Sequence, residues 1–165
     1  MPRRRTRSEP ESVDEFGLDD RSGLSRRFAD LVPATLARRG VAVSVDTDQR
    51  VYERDDPVEI TVEFENRLPV PIAVPTPKRR LWGWTVDGDL EASDERRYTR
   101  SDPSTFDFRG GERKRVSVVW NGRLERTDGL HESVVPEPGE YEITAFVATH
   151  PETYQPSDST TVRLR

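Results

Sequence analysis

The chain runs to 165 residues, 32% hydrophobic and 35% charged, with a formal net charge of −5. That allows one domain with an appendage, and the apolar residues must be concentrated in part of the chain if it is to fold. The absence of cysteine excludes a disulfide framework, thiolate metal sites and a cysteine nucleophile, and no apolar run approaches the roughly 18 residues that a membrane-spanning helix needs.

Charge is unevenly spread. Residues 1–40 hold nine arginines and seven acids, whereas residues 41–165 hold 17 basic and 24 acidic residues. Lys78 and Lys114 are the only lysines. An acid-rich, lysine-poor surface is the pattern of proteins from salt-loving archaea, in which ions screen the repulsion and the acids keep the protein soluble. A GC-rich genome would give the same arginine bias without that adaptation.

Residues 1–19 are Arg, Glu, Ser, Pro and Asp with little to bury, and are expected to be a disordered tail. Arg3, Arg4 and Arg5 are balanced by Glu9, Glu11, Asp14 and Glu15, a solvated polyampholyte rather than a nucleic-acid arm. Ser25-Arg26-Arg27-Phe28 has the arginine pair of a twin-arginine export signal. The segment after it carries Asp30, Pro33, Arg38 and Arg39 and no small-residue cleavage site, so a cytoplasmic protein is expected. Leu24, Phe28, Leu31 and Leu36 recur at helical intervals before Gly40. Pro33 splits that pattern, which predicts one or two short helical turns that either lean on the following domain or dock a partner.

From Val41 the period changes to two. Val41, Val43 and Val45 alternate with polar or small residues, and after a polar connection over 46–56 the run Pro57–Asn66 does so without exception. Val58, Ile60, Val62 and Phe64 fall on one face, with Glu59, Thr61, Glu63 and Glu65 on the other, as in a half-buried antiparallel strand. Further strands are expected at Val70–Val74, Leu81–Val86, Arg96–Thr99, Thr105–Phe108, Arg113–Trp120, Tyr141–Thr149 and Thr160–Arg165, with a long loop from Asn121 to Pro138. The predicted architecture is all-β: an immunoglobulin-like antiparallel β-sandwich of 7–9 strands over residues 41–165, preceded by a disordered to weakly helical segment over 1–40.

Chemistry is sparse. His131 and His150 have no second ligand at metal spacing, and Ser133 near His131 lacks an orienting acid in any recognisable motif. The acidic run Asp87, Asp89, Glu91 and Asp94 lacks calcium-loop spacing and reads as an acidic turn. Trp82 and Trp84, two apart on a strand, and Trp120 read as core, with partner anchoring as the alternative. No cofactor, metal or catalytic residue is expected, and the chain does not read as an enzyme.

The order of several features resembles a known family. Tyr52 precedes the strand Pro57-Val58-Glu59-Ile60-Thr61-Val62, which closes on Asn66, with Pro69-Val70 beyond. Leu81-Trp82-Gly83-Trp84 follows, then Phe106 or Phe108 before Gly111-Glu112, then Val118-Val119-Trp120-Asn121-Gly122, and finally Pro138-Gly139-Glu140-Tyr141. Over roughly residues 41 to 149 this resembles the BsuPI family, the intracellular proteinase inhibitor domain, an all-β sandwich. The family usually has aspartate where Asn121 stands, and the segment between Gly122 and Pro138 is long by comparison. The resemblance implies a proteinase inhibitor that acts by protein–protein binding and carries over no inhibitory residue. An inhibitor of this kind needs an exposed segment held rigidly enough to enter a protease cleft. The candidate is Arg123–Glu137, presenting Arg123, Leu124 and Arg126 near one end and Leu130, His131 and the residues to Val135 near the other. The expected partner is a serine protease or another protein, not nucleic acid or a membrane. A non-inhibitory interaction module, with residues 1–40 as tether, is the alternative.

Overall fold

The computed structural model describes residues 28–95, 101–127 and 130–165. In chain order the elements are helix α1 (Ala34–Gly40) and strands β1 (Val41–Thr47), β2 (Val51–Tyr52), β3 (Val58–Asn66), β4 (Ile72–Thr76), β5 (Trp82–Val86) and β6 (Asp89–Leu90). They continue with β7 (Ser104–Phe108), β8 (Arg113–Trp120), β9 (Leu124–Arg126), β10 (Glu132–Val134), β11 (Gly139–Val147) and β12 (Ser157–Leu164). Eight of these twelve strands have five residues or more, and the other four are pieces of two or three residues that carry no periodicity of their own. The expected strand near Arg96–Thr99 lies outside the described residues.

Alternation becomes layering. Strands β1, β3 and β8 form one antiparallel sheet, and β2, β12, β11, β5 and β6 form the facing one. Val58, Ile60, Val62 and Phe64 of β3 are fully buried, as are Ile143, Ala145 and Val147 of β11 and Val162 of β12. Burying each large apolar side chain of this set is worth about 1.5–3 kcal/mol. Phe64 meets Trp82 and Phe106 edge-on, at 5.6 and 5.2 Å between ring centroids, and Phe106 meets Phe108 at 4.6 Å. Trp120 is buried in the core, and Trp82 and Trp84, partly buried, pack against it. The sheets are also tied at one side, where Asp158 Oδ2 accepts the Val45 N–H at 3.0 Å.

The β3–β8 ladder continues through a bend into the β4–β7 ladder. Glu65 pairs with Arg113 and Ile72 with Phe108, so the bend must absorb two more residues on one side than on the other. Asn66, wholly buried, organises it. Its amide nitrogen donates to the Val70 and Arg109 carbonyls at 2.8 Å each, and its carbonyl oxygen accepts the Leu68 N–H at 2.9 Å. One side chain thus satisfies three backbone groups that the bend removes from the ladders.

Two expectations are corrected. The polar connection over 46–56 contains β2, whose Tyr52 is buried with its hydroxyl donating to Asp48 at 2.6 Å. Leu24 of the expected helical apolar stripe lies outside the described residues, and the rest of the stripe is not the buried face. Phe28, Leu31 and Leu36 are 59%, 76% and 50% exposed, while Ala29, Ala37 and Gly40 face inward. Pro33 interrupts the helix, so residues before and after it share no face. A Cβ at Gly40 would meet the Leu68 side chain at 2.9 Å, so even alanine there would require that side chain to shift. Arg39, stacked 5.1 Å over the Tyr154 ring, holds the helix to the β11–β12 connection.

Candidate interaction surface

The segment expected to be one long loop is instead a hairpin. β9 and β10 pair antiparallel, with Leu124 opposite Val134 and Arg126 opposite Glu132. The sequence Leu-Glu-Arg facing Glu-Ser-Val offers no apolar alternation, so the hairpin is fixed by other means.

Its near side is set by the Trp120-Asn121-Gly122-Arg123 turn. The buried Trp120 ring donates through Nε1 to the Arg123 carbonyl at 2.6 Å, and Asn121 Oδ1 accepts the Arg123 N–H at 3.0 Å. Gly122 has φ +75°, and a Cβ there would lie 2.4 Å from the Asp56 carbonyl oxygen, so only glycine fits. Arg123 then makes a bidentate pair with Asp55, Nε to Oδ1 at 2.7 Å and Nη2 to Oδ2 at 3.1 Å, and its Nη1 donates to the Ser133 carbonyl on β10. The guanidinium holds the Asp55 carboxyl below the usual carboxylate range, and the carboxylate raises Arg123 in return.

The far side is gripped by the acidic run. Glu125 N–H donates to the Ala92 carbonyl at 2.8 Å and the Glu125 carbonyl accepts the Asp94 N–H at 3.2 Å, a parallel bridge beside β6. Arg126 pairs with Asp89 at 2.6 Å, and Asp94 accepts both the N–H and the hydroxyl of Thr127 at 2.9 Å. Glu91 pairs with Arg80 at 2.9 Å, and Asp87 accepts the Glu142 N–H at 2.8 Å. Each acid of that run serves the fold. Asp55, Asp87, Glu91 and Ala92 have φ between 47° and 70°, a conformation that costs non-glycine residues of order 1 kcal/mol or more. This strain lies in the segments that hold the hairpin.

The structure therefore divides the predicted residues. Arg123 and Arg126 are engaged within the chain and Leu124 packs against the core. Leu130, 77% exposed, and His131 stand at the outer end with Glu132, Ser133 and Val134. The Ser133 hydroxyl donates to Glu125 at 2.8 Å and not to a histidine. His150 accepts the Glu152 N–H at 3.3 Å. Sequence reasoning missed Asp55 altogether and read Asp89 and Asp94 only as part of an acidic turn, not as clamps. Their partners lie 33 to 68 positions away, and no local pattern reports that. Among the described residues no group of three or more His, Cys, Asp or Glu is placed to hold a metal ion, and no helix is long and apolar enough to cross a membrane.

No curated protein matches the chain significantly in sequence. Among solved structures, the CARDB domain of a Pyrococcus furiosus protein, crystallised with di-metal ions, is similar at 15% identity and a TM-score of 0.46, over 75% of this chain and 91% of that one. A β-glucosidase from Listeria innocua with bound glucose is similar at 13% identity and a TM-score of 0.44, over 75% of this chain and 16% of that one. An alkylpurine DNA glycosylase from Pseudomonas fluorescens is similar at 12% identity and a TM-score of 0.44, over 76% and 30%. A family of unknown function, DUF7974, matches residues 29–165.

Proposed function

The chain belongs to the DUF7974 family, and we propose that it is a non-catalytic protein-binding module that offers its β9–β10 hairpin to a protein partner, in the manner of a BsuPI-type intracellular proteinase inhibitor. The observation that carries this reading is the double clamp. The bidentate Arg123–Asp55 pair fixes one side of the hairpin, and Arg126–Asp89 with Thr127–Asp94 fixes the other, while Leu130 and His131 project into solvent. A segment ordered before binding loses less conformational entropy on entering a cleft, so more of its contact energy appears as affinity. The partner this reading expects, on the strength of the BsuPI resemblance, is a serine protease or another protein.

The test is a titration of the full chain, in molar salt, against a subtilisin-type serine protease. Stoichiometric loss of protease activity with the chain intact on a gel is the expected result, together with loss of inhibition when residues 124–134 are replaced by a Gly-Ser turn in a chain that keeps its strand circular dichroism. Equal inhibition by that replacement, or an unaffected protease, would overturn the reading. The exposed Phe28, Leu31 and Leu36 favour a second reading, a non-inhibitory docking module. It predicts partner capture that survives the hairpin replacement and is lost when those three residues become serine.

A further inference from the structure

With Leu124 packed against the core, three long side chains of the hairpin are left that could fill a partner's specificity pocket: Arg123, Arg126 and Leu130. The first two would suit an acidic pocket and the third an apolar one. Both guanidiniums are already bound, Arg123 by Asp55 and by the Ser133 carbonyl, Arg126 by Asp89 at 2.6 Å. Withdrawing either would cost a charge-assisted hydrogen bond and loosen the base of the hairpin on that side. Leu130 bears no such obligation. With Leu31 it is one of the two most exposed large apolar side chains among the described residues, and it lies beyond every clamp that fixes β9 and β10. An isolated exposed leucine is ordinary on a protein surface. One carried at the outer end of a hairpin braced at its base is placed to be buried by something else.

Resting on the binding mode proposed above, we infer that Leu130 is the anchor of this surface and that the partner receives it in an apolar pocket. Arg123 and Arg126 hold the hairpin and do not enter the partner. The partner class is thereby narrowed to proteins, proteases included, whose pocket takes a large aliphatic side chain and not a cation.

The test uses the full chain with two probes, a subtilisin-type protease with an apolar pocket and a trypsin-type protease with an acidic one. Each is assayed for inhibition, and the first bond cut within residues 123–135 is mapped by mass spectrometry. The expected result is inhibition of the subtilisin-type enzyme at least about 10-fold tighter than of the trypsin-type one. Leu130→Ala should weaken it by about 10-fold or more, since a single methylene missing from an apolar pocket is already worth about 10–200-fold. Leu130→Arg should move the preference toward the trypsin-type enzyme, and Val119→Ala, at an exposed site on β8, should change nothing. If the wild type inhibits neither enzyme but the subtilisin-type protease first cuts after Leu130, and the trypsin-type protease spares Arg123 and Arg126, the anchor stands and inhibition alone falls. Inhibition that is tighter for the trypsin-type enzyme, or indifferent to Leu130→Ala, overturns the anchor and leaves inhibition in place. No inhibition and a first cut elsewhere overturns both.

Discussion

Single residues carry the places where this sandwich departs from regular pairing. Asn66 spans the bend between two ladders with three backbone hydrogen bonds from one buried amide. In Asn66→Asp the shape is kept, but a carboxylate would face the Val70 and Arg109 carbonyls. The expected loss is about 3 kcal/mol or more, from leaving buried acceptors unpaired beside a buried charge, and a urea unfolding midpoint measures it. Asp48 and Asp55 both lie below the usual carboxylate range, the first chiefly because the Tyr52 hydroxyl donates to it and the second because of Arg123. A carboxyl depressed in the folded state stabilises fully above its unfolded value near about 4 and loses that contribution as pH falls through the folded value. Thermal melts between about pH 6 and pH 3 should therefore show a falling midpoint, and Asp55→Asn, which removes one such group, should make the fall shallower.

At the scale of elements, what was legible follows from what holds each element in place. β3 and β11 are written in their alternation, because a strand with one face in the core must place an apolar residue at every second position. The same logic located β1, β7 and β8. It failed on β9 and β10, which are fixed by long-range ion pairs and backbone bridges rather than by an apolar face, and so read as loop. It failed again on α1, where the inward face is Ala37 and Gly40 and the one large apolar residue, Leu36, points outward. Of the candidate residues, the sequence pointed to the right segment but not to which side chains were already engaged. If the hairpin is held electrostatically, Arg126→Ala should raise amide exchange in β9 and β10 by about 5-fold or more. The global unfolding energy should fall by about 1 kcal/mol or less, as expected for a partly exposed ion pair. Hydrogen exchange with mass spectrometry resolves the two.

For the molecule as a whole, a formal charge of −5 combines with a dense mixture of both signs, with 24 of 26 basic residues arginine. Net repulsion on an acid-rich domain weakens as salt rises, and so do surface ion pairs such as Arg113–Glu65 at 3.1 Å. The excess of acids over bases in residues 41–165 lets repulsion outweigh the pairs. The melting temperature is expected to rise between about 0.1 and 2 M potassium chloride, and a fall would show that the pairs dominate. The braces on the hairpin lie at residues 123–127 and 133, so the side chains at positions 130–132 take no part in them. That arrangement is the one an engineer seeks for a display scaffold, in which the paratope can be rewritten while the frame stays fixed. A library randomised at Leu130, His131 and Glu132 should melt at the temperature of the parent chain while its members select different targets.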